Sequence, residues 1–159
     1  MEKNYKEKLA GISTFCFDVD GVFTDGVVYL SNNGEQMRTA YVRDGYAVQL
    51  AIKKGLRIVI ITGGKQEAVR TRFEGLGVSD IHLGCANKVD TYNAMVEKYN
   101  LKPEEICYMG DDIPDFNVMQ LSGLPCCPSD SSRTSYEGER LVDERWCPDL
   151  VNTTRSPPV

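Results

Sequence analysis

Aspartates gather at two places in this 159-residue sequence. The run FCFDVDGVFTDG, Phe15 to Gly26, starts apolar and then carries Asp18, Asp20 and Asp25. Carboxylates two apart on an extended chain project to the same side and repel unless positive charge lies between them, so this pair asks for a cation. A carboxylate beside a divalent cation is an effective nucleophile toward phosphorus, because the cation neutralises phosphate charge. A second carboxylate can protonate the leaving oxygen and later activate water. The run GDDIPD adds Asp111, Asp112 and Asp115, hard oxygen donors that favour Mg2+ over a transition metal. The oxygens of a transferring phosphoryl group also need a hydroxyl, backbone N–H donors and a cationic side chain. Thr62 with Gly63, and Lys88, fit those parts.

These residues need elements to bring them together. Five short β-branched or aromatic runs read as strands: TFCFDV, RIVIIT, DIHLG, ICYMGD and LPCCP. Between most of them lie segments of helical period: GYAVQLAIKKG, KQEAVRTRFEGLG, NKVDTYNAMVEKYN and DFNVMQLSG. The alternation predicts an α/β, Rossmann-like fold, a parallel sheet with helices on both faces, in which ligands gather at the carboxyl ends of the strands. Asp18 and Asp20, Thr62 and Gly63, and Asp111 and Asp112 all fall at or just after strand ends, and Lys88 opens the helix after DIHLG. The segment Val27 to Val42 breaks the pattern. Its β-type residues flank SNNGEQ, whose Asn33 and Gly34 signal a turn, so a β-hairpin is expected to project there.

Composition narrows the class. The chain is 42% hydrophobic and 26% charged, in keeping with one globular domain over residues 1–159. A net charge of -5 and a pI near 4.9 argue against nucleic acid or an anionic membrane as partner, and leave room for a small anionic ligand. No apolar run approaches the roughly 20 residues that span a bilayer, and the N-terminal MEKNYKEKLAGIS lacks the apolar core of a signal peptide, so a cytoplasmic location is expected. Six cysteines without a CxxC pair, and one histidine, His82, do not make a zinc site and are read as reduced, structural thiols.

Four motifs in order, DVDGVFTDG, ITGG, NK and GDDIPD, resemble the haloacid dehalogenase (HAD) superfamily of phosphohydrolases. With the hairpin and VRDGYAVQLAIKKG included, Phe15 to Pro128 is similar to the capless branch of 3-deoxy-D-manno-octulosonate 8-phosphate (KDO 8-phosphate) phosphatases. The resemblance implies a Mg2+-dependent phosphomonoester hydrolase acting on a 2-keto-3-deoxy sugar acid phosphate in lipopolysaccharide precursor synthesis. Asp18 would be the nucleophile forming an aspartyl phosphate, and Asp20 the general acid and base. Mg2+ would be held by Asp18, the backbone carbonyl of Asp20 and Asp111, with Asp112 or Asp115 in support. Thr62 and Lys88 would bind phosphate, and Arg43 and Asp44 would lie near the substrate.

A nine-carbon sugar acid 9-phosphate is the alternative substrate, and a non-catalytic, phosphatase-like assembly module is the alternative function. A signalling receiver domain, which also sets aspartates, a threonine and a lysine around Mg2+, needs a phosphoacceptor aspartate on its middle strand. Here that strand, RIVIIT, has none. The resemblance further implies a homotetramer whose hairpins associate and whose neighbouring subunits lid the active sites. The tail, about residues 129–159, departs from the family. A glycine-rich segment followed by an arginine is expected, yet Gly138 stands alone near Arg140, Arg145 and Arg155.

Overall fold

The computed structural model describes residues 5–128, 131, 135–136 and 139–140. After a short helix α1 (Tyr5–Leu9), strand β1 (Thr14–Phe17) runs into the first acidic motif. A small hairpin follows, β2 (Tyr29–Leu30) and β3 (Gln36–Met37), then α2 (Val42–Lys53), β4 (Arg57–Ile61), α3 (Glu67–Gly75) and β5 (Asp80–His82). The chain returns through α4 (Lys88–Tyr99) to β6 (Ile106–Met109), α5 (Ile113–Leu121) and β7 (Leu124–Cys126). A two-stranded ladder of β8 (Ser135–Tyr136) and β9 (Glu139–Arg140) lies in the tail. The rest of the expected divergent tail, with Gly138, Arg145 and Arg155, lies outside the described residues.

The five main strands form one parallel sheet in the order β5-β4-β1-β6-β7. Side-chain alternation explains its layers, because successive residues of a strand face opposite sides. On one side Phe15, Phe17, Ile58 and Ile60 pack with Val48 of α2 and Phe73 of α3. On the other, Cys16, Val59, Ile61, Ile106 and Tyr108 pack with Tyr92 and Met95 of α4 and Val118 of α5. Strands buried on both faces read as continuous apolar runs, which is why RIVII and ICYM carry no polar alternation. β1 is central, and the chain leaves it first toward β4 and later toward β6. Such a reversal opens a crevice at the carboxyl ends of the strands.

The hairpin is shorter than Val27 to Val42. Only two residue pairs are laddered, Tyr29 with Met37 and Leu30 with Gln36. The Ser31 N–H donates to the Glu35 carbonyl (3.0 Å) and the Gly34 N–H to the Ser31 carbonyl (3.0 Å), with Gly34 at φ 84°. This is a type I turn followed by a left-handed glycine, a three-residue connection. Val42 opens α2 instead of closing the hairpin, and Gly45 lies inside that helix, against Arg72 and Leu76. Four described cysteines, Cys16, Cys85, Cys107 and Cys126, are free thiols as expected. Cys127 is not: it is disulfide-bonded.

Candidate active site

β1 delivers Asp18 to the middle of the rim, where its N–H donates to the Met109 carbonyl of β6 (3.0 Å). The Asp18 side chain is nearly buried: Oδ1 accepts from the Val19 N–H (2.6 Å), and Oδ2 meets the Lys88 ammonium at 2.8 Å. Lys88 is the first residue of α4, a helix whose N-terminus is fixed by Asn87, which accepts from the Val89 N–H (3.1 Å). The same ammonium lies 2.7 Å from Asp115 Oδ1, which also accepts from the Tyr108 hydroxyl (2.6 Å). Asp115 is completely buried, and its Oδ2 has no hydrogen-bond partner among the described residues.

Asp18, Asp111 and Asp115 each present one carboxylate oxygen, and these oxygens lie within 4.8 Å of one another. Crowding of this kind has an electrostatic signature. Burial, and then the charge of Asp115, push the Asp18 carboxyl up to about 6 against the opposing pull of Lys88. Burial, followed by the charges of Asp18, Asp115 and Asp112, pushes Asp111 up to about 7. Burial works against the charge of Lys88, but Asp18 and Asp115 hold its ammonium above the ordinary lysine value. Three carboxylates present oxygens this close to one another while the Lys88 ammonium pairs with Asp18 and Asp115, and the donor set is hard oxygen, so the residues present fit a divalent cation such as Mg2+. Gly21 permits the arrangement. A β-carbon there would lie 1.7 Å from Asp111 Oδ2, at a φ of 76° that L side chains rarely adopt.

Thr62 directly follows β4 and is buried, and its hydroxyl accepts from the Gly64 N–H (3.1 Å). Gly63 follows, exposed, at the rim. Together these groups line a cleft of about 660 Å³ that includes Asp18, Asp20, Thr62, Gly63, Lys88, Asp111 and Asp112. Asp112 is the N-cap of α5, its carboxylate accepting from the Ile113 N–H (2.8 Å), so Asp115 and not Asp112 completes the compact carboxylate group. Arg43 and Asp44 do not line the cleft; both lie in the first turn of α2.

Three residues that motif reading passed over do line it. Arg38 reaches from the hairpin to place Nε 2.5 Å from Asp20 Oδ1, Gln36 accepts from Gln66 across the mouth (3.1 Å), and Lys65 follows the Thr62 loop. The sequence carried a faint signal for Arg38. It alternates with the exposed Met37 in a hairpin rooted beside the first acidic motif, so its side chain turns inward.

No family model matches the chain. It is 37% identical over 124 residues to the 3-deoxy-D-manno-octulosonate 8-phosphate phosphatase KdsC of Escherichia coli K12, a match covering 78% of the chain and 66% of that relative. The chain thus spans slightly less than two thirds of that relative's length. The crystal structure of the Yersinia pestis 3-deoxy-D-manno-octulosonate 8-phosphate phosphatase superposes with a TM-score of 0.77 at 33% identity, over 79% of this chain and 68% of that one. The Moraxella catarrhalis phosphatase, solved with magnesium ion, phosphate ion and KDO, superposes with a TM-score of 0.76 at 28% identity, over 79% and 72%.

Proposed function

We propose that this chain, which belongs to the haloacid dehalogenase superfamily and within it to the KDO 8-phosphate phosphatase family, hydrolyses a phosphomonoester with Mg2+ as its cofactor. The substrate in this reading is KDO 8-phosphate, and the products are KDO and inorganic phosphate. The observation that carries it is the group of Asp18, Asp111 and Asp115 oxygens within 4.8 Å at the floor of the cleft, with Lys88 bridging Asp18 and Asp115.

Asp18 Oδ attacks phosphorus in line with the departing sugar oxygen, giving an aspartyl phosphate. Asp20 donates a proton to that oxygen and then withdraws one from the water that opens the intermediate. The Thr62 hydroxyl, the Gly63 backbone N–H and the Lys88 ammonium receive the phosphoryl oxygens. Asp18, the Asp20 carbonyl, Asp111 and Asp115 would hold Mg2+, which when bound neutralises phosphate charge. Arg38 orients the Asp20 carboxylate through its Nε contact.

The reading extends to a homotetramer built on the hairpins. Leu30 is 78% exposed, Val42 80% and Tyr46 68%, and Val27, Tyr29, Met37 and Tyr41 are exposed beside them, a concentration of apolar surface that association would cover. It extends also to the cytoplasm, a compartment suited to the four described free thiols though not to the Cys127 disulfide. No helix among the described residues is long and apolar enough to cross a membrane.

Phosphate release from a panel of sugar phosphates, with Mg2+ and with chelator, tests the reading. KDO 8-phosphate is expected to give the highest kcat/KM, and chelator to abolish turnover. No release from any eight- or nine-carbon 2-keto-3-deoxy sugar acid phosphate in the presence of Mg2+ would overturn it.

A further inference from the structure

A sugar acid phosphate brings two anions to the cleft, and a cation held by aspartates serves only the phosphate. The carboxylate needs positive charge of its own. Among the described residues, three cationic side chains line the cleft: Lys88, Arg38 and Lys65. Lys88 is committed to Asp18 and Asp115, and Arg38 to Asp20. Lys65 has no ion-pair partner among the described residues.

Its placement is not that of a loose surface lysine. The loop that carries it is pinned to the β5–α4 connection by the Gly84 N–H donating to the Gly64 carbonyl (2.8 Å) and the Cys85 N–H to the Thr62 carbonyl (3.0 Å). A β-carbon at Gly84 would lie 3.3 Å from Lys65 Cγ, 3.6 Å from Cε and 3.9 Å from Cδ. The lysine stem is therefore laid across Gly84, a residue at φ +67° that favours glycine. The apolar stem packs on this loop while the ammonium stays in water at the cleft, the usual division of a lysine between its two ends.

We propose that Lys65 binds the carboxylate of the substrate and so selects acid-bearing phosphate esters, a specificity role that rests on the sugar acid phosphatase reading above. The interaction is a charge-assisted hydrogen bond in a half-open site, where loss of the cation costs about tenfold or more in kcat/KM.

The experiment compares kcat/KM for KDO 8-phosphate with that for a neutral sugar phosphate, in wild type, Lys65→Met and Lys65→Arg. The expected result is that the ratio of the two falls tenfold or more in Lys65→Met, through KM for the acid, and recovers to within about threefold in Lys65→Arg. An unchanged ratio in Lys65→Met would overturn the proposal while the phosphatase reading stands. An equal loss on both esters would overturn it too, because Lys65 would then serve the phosphoryl group. A wild type that does not favour the acid would remove the sugar acid reading itself. Because Lys65 is exposed, the variants are expected to fold, and circular dichroism of each confirms this before kinetics are compared.

Discussion

Replacing Lys88 with methionine tests the electrostatic construction of the site. Lys88 is only 5% exposed, and its ammonium touches Asp18 at 2.8 Å and Asp115 at 2.7 Å. Methionine keeps most of the stem but leaves both carboxylates facing each other without a counter-charge. Removing one partner of a buried pair costs about 3–5 kcal/mol, which in a chain of this size lowers Tm by roughly 10 °C or more. The pH dependence follows from the raised Asp18 carboxyl, at about 6 even with Lys88 opposing the rise. Without Lys88 it rises further, so the folded state holds a proton that the unfolded state releases above pH ~4. Stability then falls as pH increases through that window, and the penalty is largest at pH 8 and smaller at pH 5.5. Thermal unfolding of wild type and Lys88→Met in chelator at both pH values, followed by circular dichroism, measures it. A Tm within about 2 °C of wild type at pH 8 would refute the reasoning, since it is far below the shift a broken buried pair produces. Addition of Mg2+ is expected to recover part of the loss, because a cation among Asp18, Asp111 and Asp115 replaces the missing positive charge.

Asp18→Asn is expected to abolish phosphate release with the fold retained, as an amide does not attack phosphorus; near-normal turnover would remove the nucleophile assignment. In Gly21→Ala the new methyl falls 1.7 Å from Asp111 Oδ2, so turnover should drop about 10²-fold or more as that carboxylate is displaced, and an active enzyme would show that the loop yields. With Asp18 near 6 and Asp111 near 7 in the absence of cation, Mg2+ affinity by calorimetric titration should weaken from pH 8 to pH 6, about tenfold per displaced proton and pH unit; equal affinities would count against the carboxylate cluster. Sedimentation should report a tetramer for the wild type and smaller species for the double variant Leu30→Asp, Val42→Asp, while a fully active wild-type monomer would exclude the hairpin interface.

The sheet was legible because its inner strands carry apolar runs such as IVII and ICYM, and because Asp18, Thr62 and Asp111 mark where those runs end, whereas the edge strand β5, DIH, carries one apolar residue. Helix starts were less so. Gly45 suggested the start of α2, yet the helix begins at Val42, and Arg72 and Leu76 pack directly on the glycine. A sequence read in one dimension takes such a glycine as punctuation, where the fold uses it for close packing. The cleft's floor was readable from motifs whose residues follow strand ends. Its walls were less so: Arg38 follows the short hairpin strand β3, where alternation with Met37 is a faint signal, and Lys65 lies on a packed loop that leaves no spacing pattern. The choice between Asp112 and Asp115 shows the same limit. Both are carboxylates of one helix start, and only three-dimensional placement separates the cap at Asp112 from the buried partner of Lys88 at Asp115.

The hairpin over the cleft has two residue pairs and no buried residue in its strands, and within the chain it is tethered by Arg38 to Asp20 and by Gln36 to Gln66. So small a ladder has little local stability, and hairpins of this kind form and part in about 1–10 μs. Enzymatic turnover is commonly spaced by about a millisecond to a second. The hairpin of an isolated chain therefore swings many times between chemical events, and entry and exit of small molecules stay in rapid pre-equilibrium. Its opening then sets no ceiling on kcat, and solvent viscosity should leave the rate of a single subunit nearly untouched.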